Sequence, residues 1–282
     1  VSCKFQEEKA EAGLHGTGVR TRAKKKLGQN FLIDPNVARK IVGRLDLQPA
    51  DKVLEIGPGQ GALSQFLLQC GAQVAGVEKD LALARQLKEK WPDIDVIAAD
   101  ALDIQWDRLY RAGFCKVIGN LPYNIASPLI WDIVSGFSEA RGMVFTIQKE
   151  VGLRLTARPG RKEYGALSVW VQNFAQPRLE FILGPLVFRP RPKVDSAVVS
   201  LCPQAFCPDQ DQRKALASLL RVCFQQRRKQ LKTSLRSLWS KSVQAWFAEH
   251  GVRPQARAED LTPQEFFSLS QRVFPLQPQG DK

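Results

Sequence analysis

An α/β fold built on a doubly wound, mostly parallel sheet, with a small all-helical unit behind it, follows from three features of the sequence. Apolar runs of strand length alternate with stretches of helical periodicity from Val53 to Leu201. The first four runs end in a glycine turn or a polar residue, at Gly57, Glu78, Asp100 and Asn120. Beyond Leu201 the strand-like runs stop and helical patterns dominate. Alternation of this kind favours parallel strands joined by crossover helices, and the carboxyl ends of such strands form a ligand crevice. The expected organisation is a flexible basic arm over residues 1–26, an α/β domain over 27–202 and a helical domain over 203–282.

Composition narrows the partners. The 282 residues are enough to bury a sizeable core, and Lys plus Arg (41) exceed Asp plus Glu (28) by 13. Such an excess favours a polyanion, either nucleic acid or an acidic membrane surface. No apolar run has the length of a membrane span, and no signal-peptide pattern opens the sequence. The six cysteines form no C-x-x-C pair, and His15 and His250 stand apart. Neither a metal site nor a disulfide framework is expected.

The elements follow in order. Residues 1–26 lack apolar periodicity and end in a basic run containing Lys24, Lys25 and Lys26, an arm suited to phosphates. Asp34-Pro35 is a helix start, with an N-cap and a proline at the first helical position, and Val37, Ile41 and Leu45 then share a face. Val53–Ile56 reads as a strand running into Gly57-Pro58-Gly59-Gln60-Gly61, followed by a helix with Leu63, Phe66, Leu67 and Cys70. Glycines there let the backbone turn sharply and approach a ligand. Gly57, Gly59 and Ala62 also satisfy the G-x-G-x-x-A dinucleotide pattern, so NAD stays open on this segment alone. The second strand ends in Glu78, suited to ribose hydroxyls, and the third, Ile94–Ala98, leads to Asp100.

The fourth strand ends in Asn120-Leu121-Pro122-Tyr123. An Asn side-chain carbonyl and the next backbone carbonyl can both accept hydrogen bonds from a planar amine, leaving its lone pair free, while a Tyr ring offers a stacking face. A plain Asn-x-Pro turn is the bland alternative. A dehydrogenase accounts for the glycine turn and Glu78 but not for this loop. S-adenosylmethionine, a nucleoside that carries a methyl group, accounts for the whole set.

Six stretches together resemble the KsgA-type ribosomal RNA adenine dimethyltransferases: 26–32 (KLGQNFL), 55–59 (EIGPG), 119–125 (GNLPYNI), 148–151 (QKEV), 164–169 (YGALSV) and 190–198 (PRPKVDSAV). The resemblance spans roughly residues 24–274. It implies a Rossmann-like S-adenosylmethionine-dependent methyltransferase domain with a small helical C-terminal domain. The implied reaction dimethylates the N6 amines of two adjacent adenines near the 3′ end of small-subunit rRNA. By position, Asn30 and Leu32 would contact the donor from the N-terminal side, Gly57 and Gly59 would pass under its amino-acid part, Glu78 would hold the ribose, and Asp100 with Ala101 would read its adenine. Asn120, at the edge of the donor site, and Leu121 would orient the target amine, with Tyr123 and Phe188 covering the two faces of the base.

The remaining stretches read as architecture or RNA contacts. Ala126–Val134 is expected as a helix with Leu129, Ile130, Ile133 and Trp131 in the core. Arg154, Arg158, Arg161 and Lys162 flank Pro159-Gly160 in an expected loop over the site. Helices are expected over Arg213–Phe224, Arg227–Trp239 and Val243–Glu249, and a capping box opens a last one at Thr262. The second of these carries Arg227, Arg228, Lys229, Lys232 and Arg236, expected on rRNA. A monomer in a bacterial cytoplasm, acting on a pre-ribosomal small-subunit particle and not on a membrane, is the expected setting. A large-subunit methyltransferase of the antibiotic-resistance type and a non-catalytic assembly factor are the rival readings.

Overall fold

The computed structural model describes Lys24 and residues 27–137, 140–205 and 208–275. A two-residue strand β1 (Phe31–Leu32) comes first, then α1 (Pro35–Val42). The Asp34 carboxylate accepts the N–H groups of Asn36 and Val37 at 2.8 and 3.2 Å, so this helix starts as its sequence predicts. The chain then alternates through β2 (Lys52–Ile56), α2 (Ser64–Gln69), β3 (Gln73–Glu78), α3 (Leu81–Lys90), β4 (Asp95–Ala98), α4 (Trp106–Arg111), β5 (Lys116–Asn120), α5 (Ala126–Gly136) and β6 (Gly142–Gln148). Two helices follow, α6 (Lys149–Leu155) and α7 (Ala166–Phe174), and then β7 (Ala175–Leu183), β8 (Phe188–Arg189) and β9 (Ser196–Pro203). The helical region comprises α8 (Gln210–Gln225), α9 (Leu231–Ser234), α10 (Lys241–Glu249) and α11 (Pro263–Val273).

Seven strands form one sheet in the order β4-β3-β2-β5-β6-β9-β7. The five from β4 to β6 are parallel, and β9 runs antiparallel to both β6 and β7. Strand periodicity splits the apolar residues between two cores: Val53, Val74, Ile118, Val144 and Val198 on one face, Leu54, Ala75, Val117, Phe145 and Val199 on the other. Strand order reverses between β2 and β5, so the glycine turn after Ile56 lies beside the end of β5. There Gly119 sits so close to β2 that a Cβ on it would fall 2.7 Å from the Ile56 carbonyl oxygen. A side chain at 119 would push apart the two strands that shape the crevice.

The helical region joins the second core. Leu216, Leu219, Trp246, Phe266 and Leu269 belong to the same apolar cluster as Val169 and Trp170 of α7. Tyr164 Oη donates to the Leu261 carbonyl at 2.8 Å, and Asn173 Nδ2 to the Pro263 carbonyl at 3.0 Å. The Thr262 capping box forms as expected, with the Glu265 N–H on Thr262 Oγ1 and the Thr262 N–H on Glu265 Oε2. Among the described residues no helix is long and apolar enough to cross a membrane.

Three expectations are corrected. The helix expected over Arg227–Trp239 is broken: α8 stops at Gln225, α9 spans Leu231–Ser234, and a 3-10 turn covers Arg236–Leu238. Gln230 is extended, bridges to Arg257, and so delivers Leu231 and Leu235 into the core. That burial outweighs the weak preference of a solvated basic run for helix. The basic loop expected over the crevice instead packs on the helical region, where the Gly160 N–H donates to the Glu259 carbonyl at 2.7 Å and Arg227 Nη2 to the Arg161 carbonyl at 3.2 Å. Trp131 is only half-buried, its ring stacked on Trp170 at 4.0 Å.

Candidate active site

A pocket of about 870 Å³, open mouth included, lies at the carboxyl edge of the sheet. Its floor is the glycine turn, with Gly57 at φ +63° and open space where a Cβ would project. Glu78 and Asp100 close one side, residues 120–125 the other, and the segment Leu27–Phe31 crosses between them. The Glu78 carboxylate is buried, and each oxygen accepts one main-chain N–H, Gly59 at 3.0 Å and Asp80 at 2.9 Å. Each oxygen thereby keeps acceptor capacity for a hydroxyl in the pocket. Burial pushes the Glu78 carboxyl up from its ordinary range. Asp100 caps the Leu102 N–H at 3.1 Å, and its hydrogen bond from Lys79 holds its carboxyl low.

Asn120 ends β5 at the opposite wall. Its Nδ2 donates to the Asn30 carbonyl at 2.7 Å, which turns Oδ1 the other way. Among the described residues no donor occupies Asn120 Oδ1, and none occupies the Leu121 carbonyl, whose own N–H is held by the Thr146 carbonyl at 3.0 Å. Two adjacent acceptors are thus free in a pocket that also contains a carboxylate placed for hydroxyls. The arrangement suits a primary aromatic amine beside a nucleoside. Tyr123 borders the same pocket, its hydroxyl 2.6 Å from Ser196 Oγ, and burial raises its phenol pKa.

A family model described as ribosomal RNA adenine dimethylase matches residues 20–274. The chain belongs to the ribosomal RNA adenine dimethylase family. The dimethylase is 50% identical over 260 residues to Ribosomal RNA small subunit methyltransferase A of Nitratidesulfovibrio vulgaris (strain DP4), a match covering 89% of this chain and 97% of the relative. Over 256 residues it is 49% identical to the protein of the same name from Oleidesulfovibrio alaskensis, with 88% and 90% covered. Among solved structures it resembles a dimethyladenosine transferase from Plasmodium falciparum, with TM-score 0.71, 26% identity, and 84% and 95% of the two chains covered. It also resembles the 23S rRNA methyltransferase ErmE, with TM-score 0.66, 27% identity, and 86% and 99% covered.

The structure brings most of the predicted site residues of this dimethylase together. Asn30, Gly57, Gly59, Glu78, Asp100, Ala101, Asn120, Leu121, Pro122 and Tyr123 all line the one pocket. Leu32 does not; it is buried and borders a smaller recess behind the glycine turn, shared with Glu55 and Asn120. Phe188 is also absent from the pocket wall, a second correction at the site. Its backbone pairs with Leu32 in the β1–β8 ribbon, and its ring is 1% exposed in the core that holds Leu32 and Val198. Burying the ring among aliphatic side chains outweighs presenting it to water, so in this conformation it offers no face to a base.

The predicted cations divide. Lys24 Nζ is paired with the buried Asp80 carboxylate at 2.8 Å, which ties the N-terminal segment to α3, while the Lys24 side chain stays half-exposed. Lys25 and Lys26 lie outside the described residues. Arg227 pairs with Glu259 at 2.8 Å, whereas Arg228, Lys229, Lys232 and Arg236 are exposed on the helical region.

Two further residues carry roles that the sequence did not assign. Glu55, 2% exposed, accepts Ser64 Oγ at 2.6 Å, and burial pushes its carboxyl up to about 7 against that hydrogen bond. Its signals were an acid inside the apolar strand Val53–Ile56 and its place at the start of the EIGPG stretch, neither of which gave it a role. Ser196 had none beyond lying in the Pro190–Val198 stretch.

Proposed function

We propose that this dimethylase transfers methyl groups from S-adenosylmethionine to the N6 amines of two adjacent adenines near the 3′ end of small-subunit rRNA, within a pre-ribosomal small-subunit particle. What supports the reading is the Asn120 amide, tied through its NH2 to Asn30, so that among the described residues neither its Oδ1 nor the carbonyl of the next residue, Leu121, has a donor, and both residues line the pocket.

The pocket fits the donor. Open space at Gly57, at a positive φ, leaves room for chain atoms to pass under the turn, and Glu78 offers carboxylate oxygens to ribose hydroxyls. Asn30, Gly57, Gly59, Glu78, Asp100 and Ala101 would hold it. Bound there, the donor supplies a methyl group already activated on a sulfonium. The protein's part is therefore positioning, with no strong base required.

An adenine amine is a weak nucleophile because its lone pair is delocalised into the ring. The Asn120 and Leu121 carbonyls accept its two N–H groups and favour the more tetrahedral nitrogen that attack requires, a stabilisation by fixed dipoles that grows in the transition state. The base has to leave its stack to arrive there, and Tyr123 supplies a ring to receive it. Arg228, Lys229, Lys232 and Arg236 would meet phosphates, which position the strand without reading its sequence. The working unit in this reading is a monomer in a bacterial cytoplasm, where bacterial ribosomes assemble.

The test is transfer of labelled methyl to small-subunit and large-subunit particles lacking their methylation, followed by digestion and mass analysis. Dimethyladenine in small-subunit RNA alone, lost in Asn120→Ala, is the expected result. The likeness to ErmE makes large-subunit RNA the second substrate to try, and label found there instead would overturn the assignment. Binding to particles with transfer to neither would leave an assembly factor.

A further inference from the structure

We propose that Ser196 is a positioning residue for the methyl acceptor, its hydroxyl holding the Tyr123 ring in the plane on which the target adenine stacks. The inference rests on the reaction proposed above. Tyr123 lies in the connection between β5 and α5, where the Pro122 carbonyl accepts the N–H groups of Ile125 and Ala126, both at 3.1 Å. Those bonds fix the backbone but leave the ring free to turn about its side-chain torsions. The second fixed point is the ring's far end, where Tyr123 Oη meets Ser196 Oγ at 2.6 Å.

Ser196 is a rigid anchor. It is the first residue of β9, fully buried, and paired with Gln148 of β6 and Leu183 of β7. The residue before it is clamped to α6, since the Lys149 N–H donates to the Asp195 carbonyl at 3.0 Å and Lys149 Nζ reaches Asp195 Oδ2 at 3.2 Å. Asn120 pairs with Thr146 and Thr146 with Val198, so Asn120 and Ser196, two residues from Val198, project from the same sheet face. One rigid sheet therefore holds both the group that grips the amine and the group that sets the ring. Tyr123 spans the gap between them.

A hydroxyl that merely satisfied another hydroxyl would be dispensable as a pair. Replacing both partners of a hydrogen bond by apolar groups of similar shape can be nearly neutral for stability. A positioning role predicts something different: loss of rate whenever the bond is missing, from whichever side it is removed. Misplacing a reacting group by a fraction of an ångström is enough to slow transfer severalfold or more.

The experiment uses the full chain and small-subunit particles lacking methylation, comparing wild type, Ser196→Ala, Tyr123→Phe and the double variant. Cofactor affinity by calorimetry reports folding, and 2-aminopurine at the target position reports stacking. The expected result is about a tenfold lower turnover in all three variants, with the double no worse than either single and the KM for particles unchanged. Each variant should also leave the probe brighter than wild type does, because stacking quenches it. A single variant at the wild-type rate, or losses that multiply in the double, would overturn the role. If Ser196→Ala fails to bind cofactor it has misfolded, and Tyr123→Phe decides, since it removes the same bond without touching the sheet. Wild-type chain that binds cofactor but methylates no RNA would sink the functional reading instead.

Discussion

The two ends of the Asn120 amide have different tasks, and this separates position 120 from an ordinary turn asparagine. Its NH2 is held by a main-chain carbonyl that no substitution at residue 30 removes, so the orientation is built into the backbone path of the N-terminal segment. Truncation to Ala deletes one of the two acceptors proposed for the amine. By analogy with removal of one fixed donor from an oxyanion site, Asn120→Ala is expected to lower turnover by about 10²–10³-fold. Equilibrium binding of S-adenosylmethionine, measured separately, should change far less. Glu55 shows a different case, a buried acid whose hydrogen-bond donor among the described residues is the Ser64 hydroxyl. Its carboxyl is raised to about 7 in the folded chain, so its stabilising contribution is complete below the ordinary range near 4.5 and disappears as pH rises through 7. Glu55→Gln keeps an acceptor for Ser64 and removes the penalty of a buried charge. It is expected to unfold at higher denaturant than wild type at pH 8, by roughly 3 kcal/mol at most, and at nearly the same denaturant at pH 5. Equal shifts at both pH values would show that Glu55 is not protonated in the fold. Glu78, Asp100 and Asn120 were legible in the sequence because Glu78 and Asn120 end strands and Asp100 follows one by two residues. Glu55 and Ser196 sit inside strand patterns, where a polar residue reads the same whether it is structural or functional.

At the scale of elements, turns and caps are legible wherever local chemistry dictates them. Asp34-Pro35, the glycine turn and the Thr262 box each carry their own hydrogen-bond logic within a few residues. The failures are all tertiary. The basic run after Gln225 has helical residues, but the long-range pairing of Gln230 with Arg257 breaks it, and nothing in the neighbouring sequence announces that partner. Phe188 follows the same pattern, since it is buried by long-range partners, paired with Leu32 in the β1–β8 ribbon and packed in the core that holds Leu32 and Val198. The glycine turn yields a direct test. At Gly57 the backbone is left-handed, which costs an L-residue about 1–2 kcal/mol, yet a Cβ would meet only open pocket. Gly57→Ala should therefore still fold, with a modest loss of stability in urea, while its affinity for S-adenosylmethionine falls at least tenfold because the methyl occupies the donor's path. An alanine variant with normal cofactor affinity would remove Gly57 from the site.

For the molecule as a whole, the surplus of 13 positive charges has to be divided between those spent internally and those facing a partner. Lys24 and Arg227, both expected on RNA, are paired with Asp80 and Glu259 and so partly neutralised. Arg228, Lys229, Lys232 and Arg236 are exposed on a region that shares its core with the sheet but contributes nothing to the pocket wall. That separation of docking charge from chemistry makes a two-sided prediction. If the proposed docking holds, replacing Arg228, Lys229 and Lys232 together by Ala leaves up to three phosphates without a cationic partner. Each phosphate neutralised by the protein releases a fraction of a counterion. The slope of log affinity against log salt should therefore become shallower by roughly 0.7–0.9 for each phosphate no longer neutralised, about 2–3 for the triple variant. Cofactor affinity should not move, and turnover at saturating particle concentration should stay close to wild type, so that the effect appears in KM. The Ala variants leave the turn at Gln230 and the buried Leu231 untouched, which keeps the fold out of the comparison. An unchanged salt slope would mean that the helical region does not touch phosphate, and would shift the docking charge to the basic N-terminal arm. A fall in turnover at saturation would mean that docking and chemistry are coupled through the core joining α8 and α11 to α7.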